Sequence, residues 1–119
     1  MSLLVHTFVL APDGTMDLLE DPPCGRDLAG FERSRTTLWG SAAMRALGAR
    51  FFPLLAGDDL RVQPEELAEF LAECDAVRPH LAALAAHSGY TEEYVTARFD
   101  NIAAAARRAR EVGGGVLVW

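Results

Sequence analysis

Two segments of strand-like composition stand far apart in this chain with helical patterns between them, and a fold that uses both must bring them into one layer. Residues 3–10 alternate, placing Leu4, His6, Phe8 and Leu10 on one face and Leu3, Val5, Thr7 and Val9 on the other. Both sets are mostly apolar, which predicts a central strand. After Gly113, Gly114 and Gly115, the run Val116-Leu117-Val118-Trp119 has the β-branched and aromatic content of a strand. The closing run is expected to return and pair with the opening one, clamping the intervening helices onto a shared β-layer.

The segments between carry their own punctuation. Ala11-Pro12-Asp13-Gly14 presets a turn, and residues 15–19 supply the return strand of a hairpin. Asp21-Pro22-Pro23-Cys24-Gly25 reads as loop, because two prolines and a glycine suit no ladder. Residues 31–47 are expected to form one helix, weakened by Thr36, Thr37 and Gly40 and closed by Gly48, with Leu38, Ala42 and the Trp39/Ala46 edge on its apolar face. Residues 51–55 form an apolar connector that buries its aromatics, and residues 60–62 add a brief strand.

Gln63-Pro64-Glu65-Glu66 opens the next helix, with proline at its first position and carboxylates where the helix dipole favours them. From there Leu67, Phe70, Cys74, Val77, Leu81 and Leu84 keep steps of three and four. Pro79 inside a single helix would cost about 3 kcal/mol, so the pattern predicts two helices, or one kinked helix, ending at Ser88-Gly89. Thr91 is placed to cap a last helix, with Glu92 and Glu93 in its first turn and Arg107, Arg108 and Arg110 near its end. Its buried stripe would be Val95, Phe99, Ile102, Ala106 and Ala109. The order of elements predicts the α+β class: a small antiparallel or mixed sheet, built from the N-terminal hairpin and the C-terminal strand, packed against three to four helices in a single domain over residues 1–119.

Half of the 119 residues are hydrophobic and 24% are charged, a globular rather than a disordered balance. No apolar run reaches the roughly 20 residues of a membrane span, and no basic residue precedes the opening apolar stretch, so neither a membrane nor a secreted reading is expected. Cys24 and Cys74 lie in unlike settings without a CxxC or Cys/His cluster. A reducing, cytoplasmic location is the simplest expectation, and a disulfide between them stays open. Every basic residue is arginine and alanine is the commonest residue, as a GC-rich genome produces. The net charge of −6 argues against a nucleic-acid partner.

That charge is concentrated. Asp58, Asp59, Glu65, Glu66, Glu69, Glu73 and Asp75 oppose only Arg61 between residues 57 and 75, and elsewhere acids and arginines balance. Glu65, Glu69 and Glu73 stand at successive i,i+4 positions, where like charges destabilise a helix by about 0.2–0.5 kcal/mol per pair. One explanation is a solvated helix face; the functional one is that Asp58, Asp59, Glu65, Glu66, Glu69 and Glu73 form a docking face for a basic protein. No metal site is expected of these acids, because EF-hand spacing is missing.

Among the histidines, His80 and His87 share a helix face about 10 Å apart, too far to chelate one ion. His6 points from a central strand and is read first as a hydrogen-bonded structural residue. No catalytic residue is assigned: Ser41 lacks the nucleophile elbow, and Cys24 has no histidine nearby in sequence. No cofactor is expected either, since the triple glycine precedes a strand rather than opening a helix. Arg98, lying beside the last helix's buried stripe, and Trp39 join His6 as pocket candidates.

Three functions follow as expectations. The first is a small acidic protein-binding module that docks on, and inhibits, a basic partner. In size, acidity and α+β class the chain is similar to the immunity proteins of bacterial toxin systems, a resemblance that covers no residue motif. The second is a small-molecule-binding protein or enzyme with a pocket between sheet and helices. The third is a homo-oligomer pairing through an uncovered sheet edge or the alanine-rich helix.

Overall fold

A computed structural model describes residues 2–20 and 26–119. The predicted loop at residues 21–25, and with it Cys24, lies outside the described residues. The first strand, β1 (Ser2–Leu10), turns through Gly14, whose φ of 86° needs glycine, into β2 (Met16–Leu18). Next come β3 (Leu28–Phe31), a π-helical turn at Arg35–Trp39, α1 (Ala42–Ala46), a 3₁₀ turn at Phe52–Ala56 and β4 (Leu60–Val62). The chain then runs through a 3₁₀ turn at Pro64–Glu66 into α2 (Leu67–Val77), through another at Arg78–His80 into α3 (Leu81–Ser88), and on to α4 (Glu92–Val112) and β5 (Gly115–Val118).

The α+β class holds. The described residues form an antiparallel sheet in the order β2-β1-β5-β4, with β3 also on β1. Leu4 and Trp119 exchange both backbone hydrogen bonds, at 2.8 and 2.9 Å, so the closing strand does return to the opening one. On the other edge of β1 the Thr7 carbonyl accepts from the Leu19 amide, and the Val5 amide donates to the Asp27 carbonyl. Backbone groups two residues apart point the same way, so β2 and β3 share that edge end to end.

Register decides what each face carries, because residues directly opposite one another share a face. Val5 pairs with Val118 and Thr7 with Val116; Leu60 and Val62 pair with the same two valines from the other side. This face, with Leu3, meets the helices and is almost fully buried. Of the helices, α4 lies against β1, β3 and β5, while α2 and α3 pack on α4. The alanines of α4 allow a close approach: the Thr7 hydroxyl reaches the Ala105 carbonyl at 2.8 Å. Beyond it Phe52 anchors an aromatic cluster, stacked on Trp39 at 5.3 Å and within 6.0 Å of Phe99.

Helix ends fall where the local chemistry put them. Thr91 accepts from the Tyr94 amide, Gln63 and Glu66 form a capping box, and Gly89 and Gly113 close α3 and α4 with φ of 80° and 68°. Pro79 sits in the 3₁₀ turn between α2 and α3, where its missing amide costs little.

The helix expected over residues 31–47 does not form as one element. Phe31 ends a strand, the π turn spans Arg35–Trp39, and α1 begins only after Ser41, which caps it by accepting from the Met44 amide. Gly40 breaks the run because its backbone presses against the Phe52–Ala56 turn; a methyl there would overlap the Arg35 carbonyl and the Ala56 side chain. Leu38 and Trp39 are buried as expected, but Ala42 and Ala46 are exposed and Met44 takes their place.

Candidate functional site

The sheet face turned away from the helices carries β1's other alternating set. His6 pairs with Leu117, which pairs onward with Arg61; Phe8 pairs with Leu18 and Gly115; Leu10 pairs with Met16. Trp119, opposite Leu4, belongs to the same face. The helix-packed core takes in Leu3, Val5, Leu60, Val62, Val116 and Val118 and none of these residues. Leu10, Leu18 and Trp119 are left 44%, 41% and 43% exposed. Phe8 is buried over Gly115, where a methyl would overlap its ring. Along the strands this face holds one guanidinium, Arg61, and no carboxylate.

His6 is built into that surface. Its Nδ1 accepts a hydrogen bond from the Trp119 Nε1 at 3.0 Å, and the rings stand 5.9 Å apart. The accepting nitrogen must be unprotonated, which places a neutral imidazole's proton on Nε2. Trp119 thus lies against the sheet instead of hanging free.

The acidic segment comes apart in space. Glu73 turns inward, and its carboxylate accepts from the amides of Arg50, Phe51 and Phe52, the last at 3.0 Å. Those amides open the Phe52–Ala56 turn and have no partner within it, so Glu73 caps the turn from a distant helix. Glu66 accepts from the Gln63 amide at 3.1 Å. Asp59 pairs with Arg35 at 2.7 Å, and the same guanidinium holds Glu32 and the Asp58 carbonyl. Arg50 stands 3.7 Å from Glu69, both well exposed. Glu65 and Glu69 project outward from the start of α2.

The three pocket candidates are not brought together. Trp39 is a core residue whose Nε1 donates to the buried Ala29 carbonyl at 3.0 Å. Arg98 lies over the Tyr94 ring at 4.9 Å, within a half-buried cluster in which Tyr94 stacks on Phe31 and Tyr90. His6 borders a cleft between β1 and α4 of about 180 Å³, lined also by Thr7, Arg26, Asn101 and Arg108. Ligand pockets usually offer roughly 300–1,000 Å³. The Thr7, Asn101 and Arg108 side chains at this cleft donate to the backbone carbonyls of Ala105, Leu28 and Glu20.

Cys74 faces the core from α2, and burial pushes its thiol up from an ordinary 9.0 to about 12. In a Cys24→Ser background, native protein near pH 8 should therefore resist iodoacetamide and react only once unfolded. Because the folded value lies above the unfolded one, the thiol's contribution to stability is intact below pH 9 and is lost as pH rises toward 12. Rapid alkylation of the native protein would contradict this placement. Among the described residues no group of three His, Cys, Asp or Glu side chains could hold a metal, and no helix is long and apolar enough to cross a membrane.

The face turned away from the helices was only half visible in the sequence. The β1 alternation shows two apolar sides, and the signal that one stays out of the helix-packed core is Arg61, a charge between two buried residues of β4. No protein-family model, curated protein or solved structure matches the chain.

Proposed function

We propose that this protein acts by docking on another protein, and that the sheet face turned away from the helices is where it docks. The observation that carries this reading is the exposure of Leu10, Leu18 and Trp119 on the sheet face turned away from the helices, whose described strand residues include no carboxylate. Isolated exposed leucines are ordinary, but three large apolar side chains left out on the same face of a sheet support an interaction site there. A large aromatic pinned in place is a low-entropy anchor, as Trp119 is by His6.

A second reading keeps a basic partner, in the manner of an immunity protein or inhibitor, on the outward carboxylates of α2. It is supported by Glu65 and Glu69, which remain exposed after Glu66 and Glu73 are taken up by backbone amides. Complementary charge there would speed encounter more than it would add affinity.

Photo-crosslinking in the cells that make the protein separates the two. A benzophenone side chain at Leu18 should capture a protein, whereas the same group at Glu65 should not. Capture from Glu65 alone would favour the basic partner, and silence at Leu18 would remove the sheet face from consideration.

A further inference from the structure

We infer that a cleft between α2 and α4 binds a small phosphomonoester, gripped by Arg78, Arg107 and Arg110. The site shares no residue with the sheet face proposed above, so the two readings stand or fall separately. Leu71, Cys74, Asp75 and Arg78 follow one another by three or four residues or lie side by side, and Ala103, Arg107 and Arg110 do the same on α4, so each set is one helix face. The two faces enclose about 270 Å³. Cys74 and Ala103 are buried and Leu71 is half-buried, which makes the inner wall apolar, while the three arginines and Asp75 are exposed around it.

Charge selects an anion. The chain has 17 acids and only 11 arginines, so carboxylates are in ample supply. Arg78 uses one, pairing with Asp100 at 2.8 Å. Arg107 and Arg110 make no ion pair among the described residues, and yet they line the same space as Arg78. Like charges three residues apart on a helix repel, and a third guanidinium from the facing helix adds to the repulsion. An anion between them would turn that repulsion into attraction.

Charge number and size select the class. Three arginines and Asp75 leave the cleft lining with two positive charges in excess. A phosphomonoester carries about −1.5 to −2 at neutral pH and cancels them, whereas a carboxylate cancels half. Guanidinium forks match phosphate oxygens two at a time. The volume lies just below the roughly 300–1,000 Å³ of drug-sized pockets, room for a phosphate with a short organic group, which the apolar inner wall would receive.

Titration of the purified protein with phenyl phosphate near neutral pH, followed by backbone amide NMR shifts, tests this. Saturable shifts should gather at residues 71–78 and 103–110. Benzoate, with the same ring and one charge, should bind about ten-fold more weakly, and inorganic phosphate, without the ring, should also bind less well. Arg107→Gln and Arg110→Gln should each weaken phenyl phosphate about ten-fold, and Asp75→Asn, which removes the one lining carboxylate, should tighten it. Arg45→Gln removes the same charge from α1, outside the cleft, and should change nothing. Affinity should fall as pH drops through about 6, where the phosphate takes up its second proton and the arginines stay charged. Thermal melts establish that the variants fold.

Shifts that never saturate, or that spread over the whole surface, overturn the proposal. So does a loss at Arg45→Gln equal to that at Arg107→Gln, which would reduce the effect to net charge. Benzoate binding as tightly as phenyl phosphate would remove the phosphate from the assignment, and inorganic phosphate binding as tightly would remove the ester.

Discussion

Deleting residues 115–119 should abolish cooperative unfolding. β5 lies between β1 and β4, so its loss removes two ladders at once and leaves β4 without a strand partner among the described residues. Val116 and Val118, both fully buried, also leave the core. Burial of each is worth about 1.5–3 kcal/mol, so the pair alone contributes about 3–6 kcal/mol, a large share of the roughly 5–15 kcal/mol that holds a domain together. Far-UV circular dichroism on heating should show a shallow, featureless slope. A sharp transition at an unaltered temperature would mean that the sheet does not depend on its closing strand.

Glu73→Ala comes next in expected effect. One carboxylate satisfies three consecutive amides, and alanine would leave them to compete for water at the edge of the aromatic core. Charged hydrogen bonds of this kind are worth about 1.5–3 kcal/mol in net terms, so a loss of about 3 kcal/mol and a fall of roughly 10 °C in Tm are expected. Glu73→Gln keeps one acceptor oxygen and should cost about half as much. Glu65→Ala, on the same line of the helix, should change stability by no more than about 0.5 kcal/mol. Equal effects at residues 65 and 73 would show that Glu73 is not a cap.

These two results bear on how the acidic segment is understood. Along the chain, Glu65, Glu69 and Glu73 are equivalent, spaced by four and preceded by two more acids. In the fold, Glu73 reaches the amides of a segment 21 to 23 residues away, and Arg35 crosses 24 residues to pair with Asp59. A charge count in sequence therefore overstates the surface a partner would meet. The helix ends behave differently. Thr91, Gly89, Gly113 and the capping pair Gln63/Glu66 act within four residues of themselves, and each does what its spacing predicts.

The failed helix over residues 31–47 shows where local reading stops. Thr36, Thr37 and Gly40 weaken that stretch, but weak propensity alone does not say where a run breaks. The break comes at Gly40 because the Phe52–Ala56 turn packs onto it, and β3 forms because β1 offers a free edge beside β2. Neither cause is visible within a window of a dozen residues.

From the amino acids alone came the strand at either end, the hairpin, the caps and the division of the helices at Pro79, because turn chemistry and side-chain period act over one or two turns of backbone. The tertiary structure alone decided which side of the sheet the helices cover, and so which apolar set on β1 joined the helix-packed core. Alternation makes Leu3, Val5 and Thr7 a set and Leu4, His6, Phe8 and Leu10 another, but burial is settled by what packs against each. Here α4 arrives on one side, through contacts nearly a hundred residues apart such as Thr7 to Ala105, and the other side stays out of the helix-packed core.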